Sequence, residues 1–155
     1  MHPIARRLAD LGIALPEPAA PLAAYVGHVA HRDLVTVSGQ LPLENGAPAM
    51  TGRLGDGVSV EDGVRCARLC AINALAQLRA ALDGDWDRLE RCIRLGGFVA
   101  ATPDFTQHPA VINGASELMV EALGEGGAHA RAAVGVASLP LGVPVEVEAT
   151  FAIRP

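Results

Sequence analysis

The stretch AHARAAVGVASLPLGVPVEVEATFAI, Ala128 to Ile153, decides the reading of this chain. Its residues are mostly small and aliphatic. They form two runs joined by Leu139-Pro140, the pattern of two closing strands. Arg131 interrupts the first run and Glu146 the second. In VEVEATF, alternation puts Glu146 and Glu148 on one face and Val145 and Val147 on the other. By position alone, Arg131 fits an exposed strand-end arginine that snorkels or pairs with a carboxylate, and Glu146 fits a solvated strand face. The chemical alternative for Arg131 is a planar fork that holds a ligand carboxylate by two parallel hydrogen bonds. A simple hairpin about Leu141-Gly142 would set Arg131 opposite Thr150 or Phe151 and Glu146 opposite Ala137. At roughly 3.3 Å per residue the two would lie about 15 Å apart, too far to serve one small substrate. Either the strands pair otherwise, or the site is completed across a subunit interface.

The rest of the chain supplies helices and strands around this pair. Ser59 opens the clearest helix, in which Val64, Ala67, Ala71, Leu75, Leu78 and Leu82 make one apolar stripe ending near Asp83-Gly84. Ser59 with Asp62 resembles a capping box, with Asp where Glu or Gln is usual. Trp86 to Glu90 reads as a helical turn. CIRLGGFVA, residues 92–100, reads as a strand whose Gly96-Gly97 marks a bulge or a close backbone approach. After the TPDFTQHP loop, Val111, Ala115, Leu118, Ala122 and Leu123 define a second helix closed by GEGG. Nearer the start, Ile4, Leu8 and Leu11 share one face of a short helix that Gly12 ends. LPEPAAPLAA is an extended connector. YVGHVAHRDLVTVSGQLP reads as two strands about a His31-Arg32-Asp33 turn, and LENGAPAMTGRLGDG as one long loop. The order helix, two strands, helix, strand, helix, two strands predicts one α/β (α+β) domain over residues 1–155, with two main helices on one face of a sheet. Residues 1–15 form a helical extension and 16–155 the core.

Composition narrows the function. The chain has 155 residues, half of them hydrophobic and 19% charged, which suits a globular core rather than disorder. No apolar run is long enough for a bilayer. MHPIARRLADLGIALP carries charges within its apolar pattern and reads as a helix rather than a signal peptide, so a cytoplasmic protein without membrane partners is expected. The net charge is −5, every basic residue is a scattered arginine, and the aromatics are Tyr25, Trp86, Phe98, Phe105 and Phe151. Nucleic-acid binders need a basic stripe or stacking aromatics, so no nucleic-acid partner is expected. The odd count of cysteines, Cys66, Cys70 and Cys92, argues against a disulfide framework and for buried small hydrophobes. His2, His28, His31, His108 and His129 fall in no ligand motif, so no metal is expected; GxSxG and Walker spacings are missing too.

Four stretches together resemble the Rid (YjgF, endoribonuclease L-PSP) family: AAYVGHV, VTVSGQLP, PDF before the second helix, and HARAAVGVASLPLGVPVEVEA. The resemblance extends from about Pro16 to the end. The N-terminal helix, HPAVINGASELM and GEGGAHAR are similar to a longer branch of that family. The resemblance implies a chorismate-mutase-like fold with a mixed sheet, assembled as a homotrimer with ligand clefts between subunits. It also implies an enamine/imine deaminase: a hydrolase acting on C=N bonds that converts 2-imino acids to 2-keto acids and ammonia without a cofactor. Carried onto this sequence, Arg131 grips the substrate carboxylate and Glu146 positions or activates water. Tyr25 lines the cleft, Gly39 offers backbone near the substrate, and Asn113 occupies the place of the family's asparagine. The chain departs from the pattern where Val26-Gly27-His28 lacks a glutamine after the tyrosine, and where Ala132-Ala133 replaces a cysteine. The loop from Phe105 to Asn113 is also longer. Two other functions stay open: binding of small carboxylates without turnover on the same trimer, and the endoribonuclease of the older family name.

Overall fold

The computed structural model describes residues 1–155. In chain order the elements are α1 (Pro3–Asp10), β1 (His28–His31), β2 (Leu34–Gln40), β3 (Leu43–Glu44), β4 (Ala47–Pro48), β5 (Arg53–Leu54), β6 (Gly57–Val58), α2 (Val60–Ala81), β7 (Leu89–Ala100), α3 (His108–Leu123), β8 (Ala130–Val136) and β9 (Val145–Ile153). Short 3₁₀ turns cover Trp86–Arg88, Gly124–Gly127 and Pro140–Gly142.

The main sheet has the order β1-β2-β9-β7-β8. Only β7 and β8 run parallel, and α3 supplies their crossover. The hairpin between the closing strands is therefore not formed, because β7 lies between β8 and β9. Residues 137–144 contain Pro140 and a 3₁₀ turn with Leu141 at φ 58°, too long and too irregular for a tight hairpin turn. They carry the chain across the end of β7 instead.

Alternation in β9 sets the layers. Val145, Val147, Ala149, Phe151 and Ile153 are all buried beneath the helices. Ala67, Cys70, Ala71, Leu75 and Leu78 of α2 join Val111, Ile112, Ala115, Leu118 and Met119 of α3 in the same core. Two glycines allow the close packing. A Cβ on Gly97 would meet Ile112 of α3 at 2.6 Å, and one on Gly114 would run into the Val64 carbonyl of α2. Gly96-Gly97 thus marks close approach rather than a bulge; the irregularities of β7 lie earlier, near Arg91 and Arg94. Ile4 and Leu8 seat α1 on this core, whereas Leu11, at the helix cap, stays exposed. The opposite face of the sheet carries Val29, Leu34, Ala132, Val134, Glu146 and Glu148, and no helix covers it.

Local chemistry explains the ends. The Ser59 hydroxyl accepts from the Asp62 amide at 3.1 Å, while the Asp62 carboxylate turns to Arg65, so the capping box is only half made. The stretch read as one loop contains two small ribbons. One is β3–β4, turned by Asn45 and Gly46, both with positive φ. The other is the parallel pair β5–β6. All three cysteines are free and buried. Burial pushes the Cys92 thiol up to about 12 and raises those of Cys66 and Cys70, which suits inert packing groups. No helix is long and apolar enough to cross a membrane.

Candidate functional site

The five residues singled out in the sequence fall into two separate cavities. Tyr25, Gly39 and Glu146 line a narrow cleft of about 50 Å³, walled by Ala19, Pro21 and Gln77. Asn113 and Arg131 line a wide, open shelf of about 530 Å³ together with Ser116, Glu117 and His129.

The first cleft is built on a bulge. The β2–β9 register slips by one residue between the pairs Val37–Ala149 and Gln40–Val147, so Ser38 and Gly39 together stand opposite Glu148. Gly39 sits in that bulge with the Glu146 carboxylate directly over its Cα; any side chain there would collide with the carboxylate. The Ser38 hydroxyl donates to the Val26 carbonyl at 2.7 Å and the Ser38 amide to the Gly27 carbonyl at 2.9 Å, which brings the backbone after Tyr25 to the cleft mouth. Tyr25 itself is 48% exposed. Glu148 pairs with Arg94 at 3.3 Å, whereas Glu146 has no cation partner. Desolvation by burial, and then the Glu148 charge, raise the Glu146 carboxyl above the ordinary glutamate range. An unpaired, raised carboxylate in a narrow cleft is suited to take a proton from water.

Two amides on α2 were not legible as site residues. Gln77 is buried; its Nε2 donates to the Ala19 carbonyl at 3.2 Å, and its Oε1 accepts from His28 Nδ1 at 2.9 Å. Asn73, one turn earlier, donates to the carbonyls of Leu41 and Leu43. They pin the chain on both sides of the cleft. Their signal in the sequence is an amide pair at i, i+4 beside an otherwise apolar stripe.

The second half lies at the α3–β8 edge. Arg131 pairs in register with the buried Leu95, so it shares the helix-covered face of the sheet. Its Nη1 donates to Ser116 Oγ at 3.1 Å and its Nη2 to the Pro109 carbonyl at 3.2 Å. No carboxylate pairs with it, and the nearby Glu121 is engaged by Arg68 at 2.8 Å. A guanidinium with spare N–H groups and no paired carboxylate has the donors that a small anion needs.

Within one chain the two halves do not meet. Glu146 pairs with Phe98 on the uncovered face, three positions along β7 from Leu95, and β7 separates the strands of Arg131 and Glu146. Three residues along and two strands across put their Cα atoms roughly 14 Å apart, on opposite faces. The strands do pair otherwise than in a simple hairpin, and the two residues are still too far apart to serve one small substrate within the chain.

The chain belongs to the family described as "YjgF/chorismate_mutase-like, putative endoribonuclease", whose model matches residues 5–149. Among its relatives, Protein TCP17 of Trypanosoma cruzi is 47% identical over 147 residues, 94% of this chain and 91% of that protein. Atu1372 of Agrobacterium tumefaciens, of unknown function, is 49% identical with a TM-score of 0.91, covering 97% of this chain and 92% of its own. E. coli TdcF, crystallised with bound serine, is 26% identical with a TM-score of 0.63, covering 92% and 96%.

Proposed function

We propose that the protein is an enamine/imine deaminase that hydrolyses 2-imino acids to 2-keto acids and ammonia, at clefts shared between the subunits of a homotrimer. The observation that carries this reading is the division of the site. A carboxylate receptor and a water-activating carboxylate occur in one chain, on opposite faces of one sheet, each in a cavity open to solvent. A neighbouring copy laying its α3–β8 edge against the Tyr25–Gly39–Glu146 cleft would bring Arg131 opposite Glu146. The uncovered sheet face, with exposed Val29 and Val134, offers the apolar surface for such an assembly.

In the joined cleft, Arg131 holds the imino acid's carboxylate and Asn113 lines the same wall. Glu146 takes a proton from a water aimed at the C=N carbon. As the water oxygen bonds to carbon, the C=N π pair moves to nitrogen, which takes up the proton from Glu146 to give a carbinolamine. Glu146 then passes the hydroxyl proton to the amine, the C–N bond breaks with its pair leaving on ammonia, and an oxygen lone pair closes the keto C=O bond. The imine carbon is already electrophilic, so placement of water and substrate supplies most of what is needed, with roughly 10²–10⁴-fold from the base. TdcF with its bound serine supports a small amino-acid-like ligand for this family. The same observation favours a second reading, binding without turnover. Glu146→Gln separates the two, because it abolishes hydrolysis and spares binding. The net charge of −5 counts against RNA as substrate.

The test is imine decay. With 2-iminopropanoate generated in situ by an amino-acid oxidase, the wild type accelerates hydrolysis and Arg131→Ala does not. No acceleration across a range of imino acids sinks the enzyme reading and leaves the binding one.

A further inference from the structure

Arg131 does not stand alone at its cavity. Its Nη1 is 3.1 Å from Ser116 Oγ. Ser116 Oγ is in turn 2.8 Å from His129 Nε2, and His129 Nδ1 is 2.6 Å from the Gly127 carbonyl oxygen. These contacts can be polarised in only one way while the imidazole is neutral. A carbonyl oxygen can only accept, so Nδ1 carries the proton and donates it to Gly127. Nε2 is then an acceptor, and the only donor facing it is the Ser116 hydroxyl. With its hydrogen committed to His129, Ser116 Oγ presents lone pairs to the guanidinium, which can only donate. The Pro109 carbonyl takes a second N–H at 3.2 Å. A long side chain with several freely rotating bonds is thereby held at two of its terminal nitrogens.

We infer that Ser116 and His129 are positioning residues for Arg131, fixing its guanidinium in one plane so that its remaining N–H groups meet the substrate carboxylate as a preformed fork. This rests on the reading of Arg131 as the carboxylate clamp. The relay spans three elements: His129 precedes β8, Ser116 is on α3, and Gly127 ends the 3₁₀ turn between them. Its anchor is the short connection from α3 to β8, tied back to α3 by the Ser116–His129 contact. A fixed fork loses less rotamer freedom when the carboxylate binds. The carboxylate is gripped equally in the ground state and the transition state, so loosening the fork weakens binding without slowing the bound substrate's chemistry.

The experiment compares wild type with Ser116→Ala, Ser116→Thr, His129→Phe and Arg131→Ala by two readouts. One is the ¹⁵N side-chain NMR signal of the Arg131 guanidinium, assigned by its loss in Arg131→Ala. The other is pyruvate affinity together with kcat and KM for 2-iminopropanoate. In wild type the guanidinium signals are resolved and slow to exchange; in Ser116→Ala and His129→Phe they average. Ser116→Ala raises KM and weakens pyruvate binding about tenfold, the scale of one lost hydrogen bond to a charged group, with kcat within about twofold. Ser116→Thr keeps the hydroxyl and restores both readouts. An active Ser116→Ala protein with wild-type KM and unchanged guanidinium signals overturns the inference while leaving the clamp intact. A wild type that neither hydrolyses imines nor binds pyruvate overturns the clamp, and the positioning role with it.

Discussion

Glu146 is the residue whose environment makes the sharpest statement. Its carboxyl is raised first by burial in the Gly39 cleft and second by Glu148 on the same sheet face. A base must be ionised to act, so kcat/KM falls as pH drops through a value above the ordinary glutamate range. Neutralising Glu148 removes one cause of the elevation, so Glu148→Gln moves the acid limb of the profile to lower pH. Removing Arg94 leaves the Glu148 charge uncompensated, so Arg94→Met moves it to higher pH. Glu146→Gln loses roughly 10²–10⁴ in kcat at every pH. Shifts of the same sign in both charge variants would show that Glu146 does not set the limb. Arg131 and Glu146 stand out in the sequence because each breaks a run of small aliphatic residues, but position alone favours an exposed arginine and a solvated glutamate, and the roles proposed for them come from the family resemblance. The environment that tunes Glu146 was not legible there, since the bulge that lays Gly39 under its carboxylate is a property of two strands pairing out of step.

Between elements, the decisive contact is the crossing of α2 and α3 at Gly114. Alanine is the better helix former by about 1 kcal/mol, but its Cβ would run into the Val64 carbonyl. A backbone carbonyl inside a helix cannot swing away, so the two helices must part. Overpacking of this kind costs about 1–3 kcal/mol. The clash takes the upper part of that range, and Gly114→Ala lowers Tm by roughly 4–8 °C in thermal unfolding followed by circular dichroism. A wild-type Tm would mean the helices can separate freely there. Because Asn113 and Ser116 flank Gly114 on α3, the same change disturbs the Arg131 shelf. The helices and strands themselves were legible from their periods. Their order in the sheet was not, because alternation tells which face a strand buries but not which neighbour it takes. That gap leaves a simple hairpin and a different pairing both open for the closing strands, and the structure takes the second, with β7 between them. Asn73 and Gln77 were missed for a related reason: nothing local says that an amide beside an apolar stripe will meet the carbonyls of a distant connector.

At the scale of the whole molecule, the division of the site leads to a test that no single variant provides. On the proposed mechanism Arg131→Ala lacks the clamp and Glu146→Gln lacks the base, so each is expected to be inactive on its own. If a cleft takes Arg131 from one copy and Glu146 from the next, a mixed trimer regenerates one intact cleft. It forms where a Glu146→Gln subunit contributes Arg131 and an Arg131→Ala subunit contributes Glu146. In a freely exchanging equal mixture about three quarters of the trimers are mixed, and each carries one working cleft of three, so about a quarter of wild-type activity returns. Were both residues drawn from the same chain, every cleft would still lack one of them and mixing would restore nothing. Exchange is verified in parallel with subunits carrying different mass labels, so silence in the activity assay has one meaning. The outcome decides whether the roughly 14 Å between the two strand positions, on opposite faces of one sheet, is the distance that assembly removes.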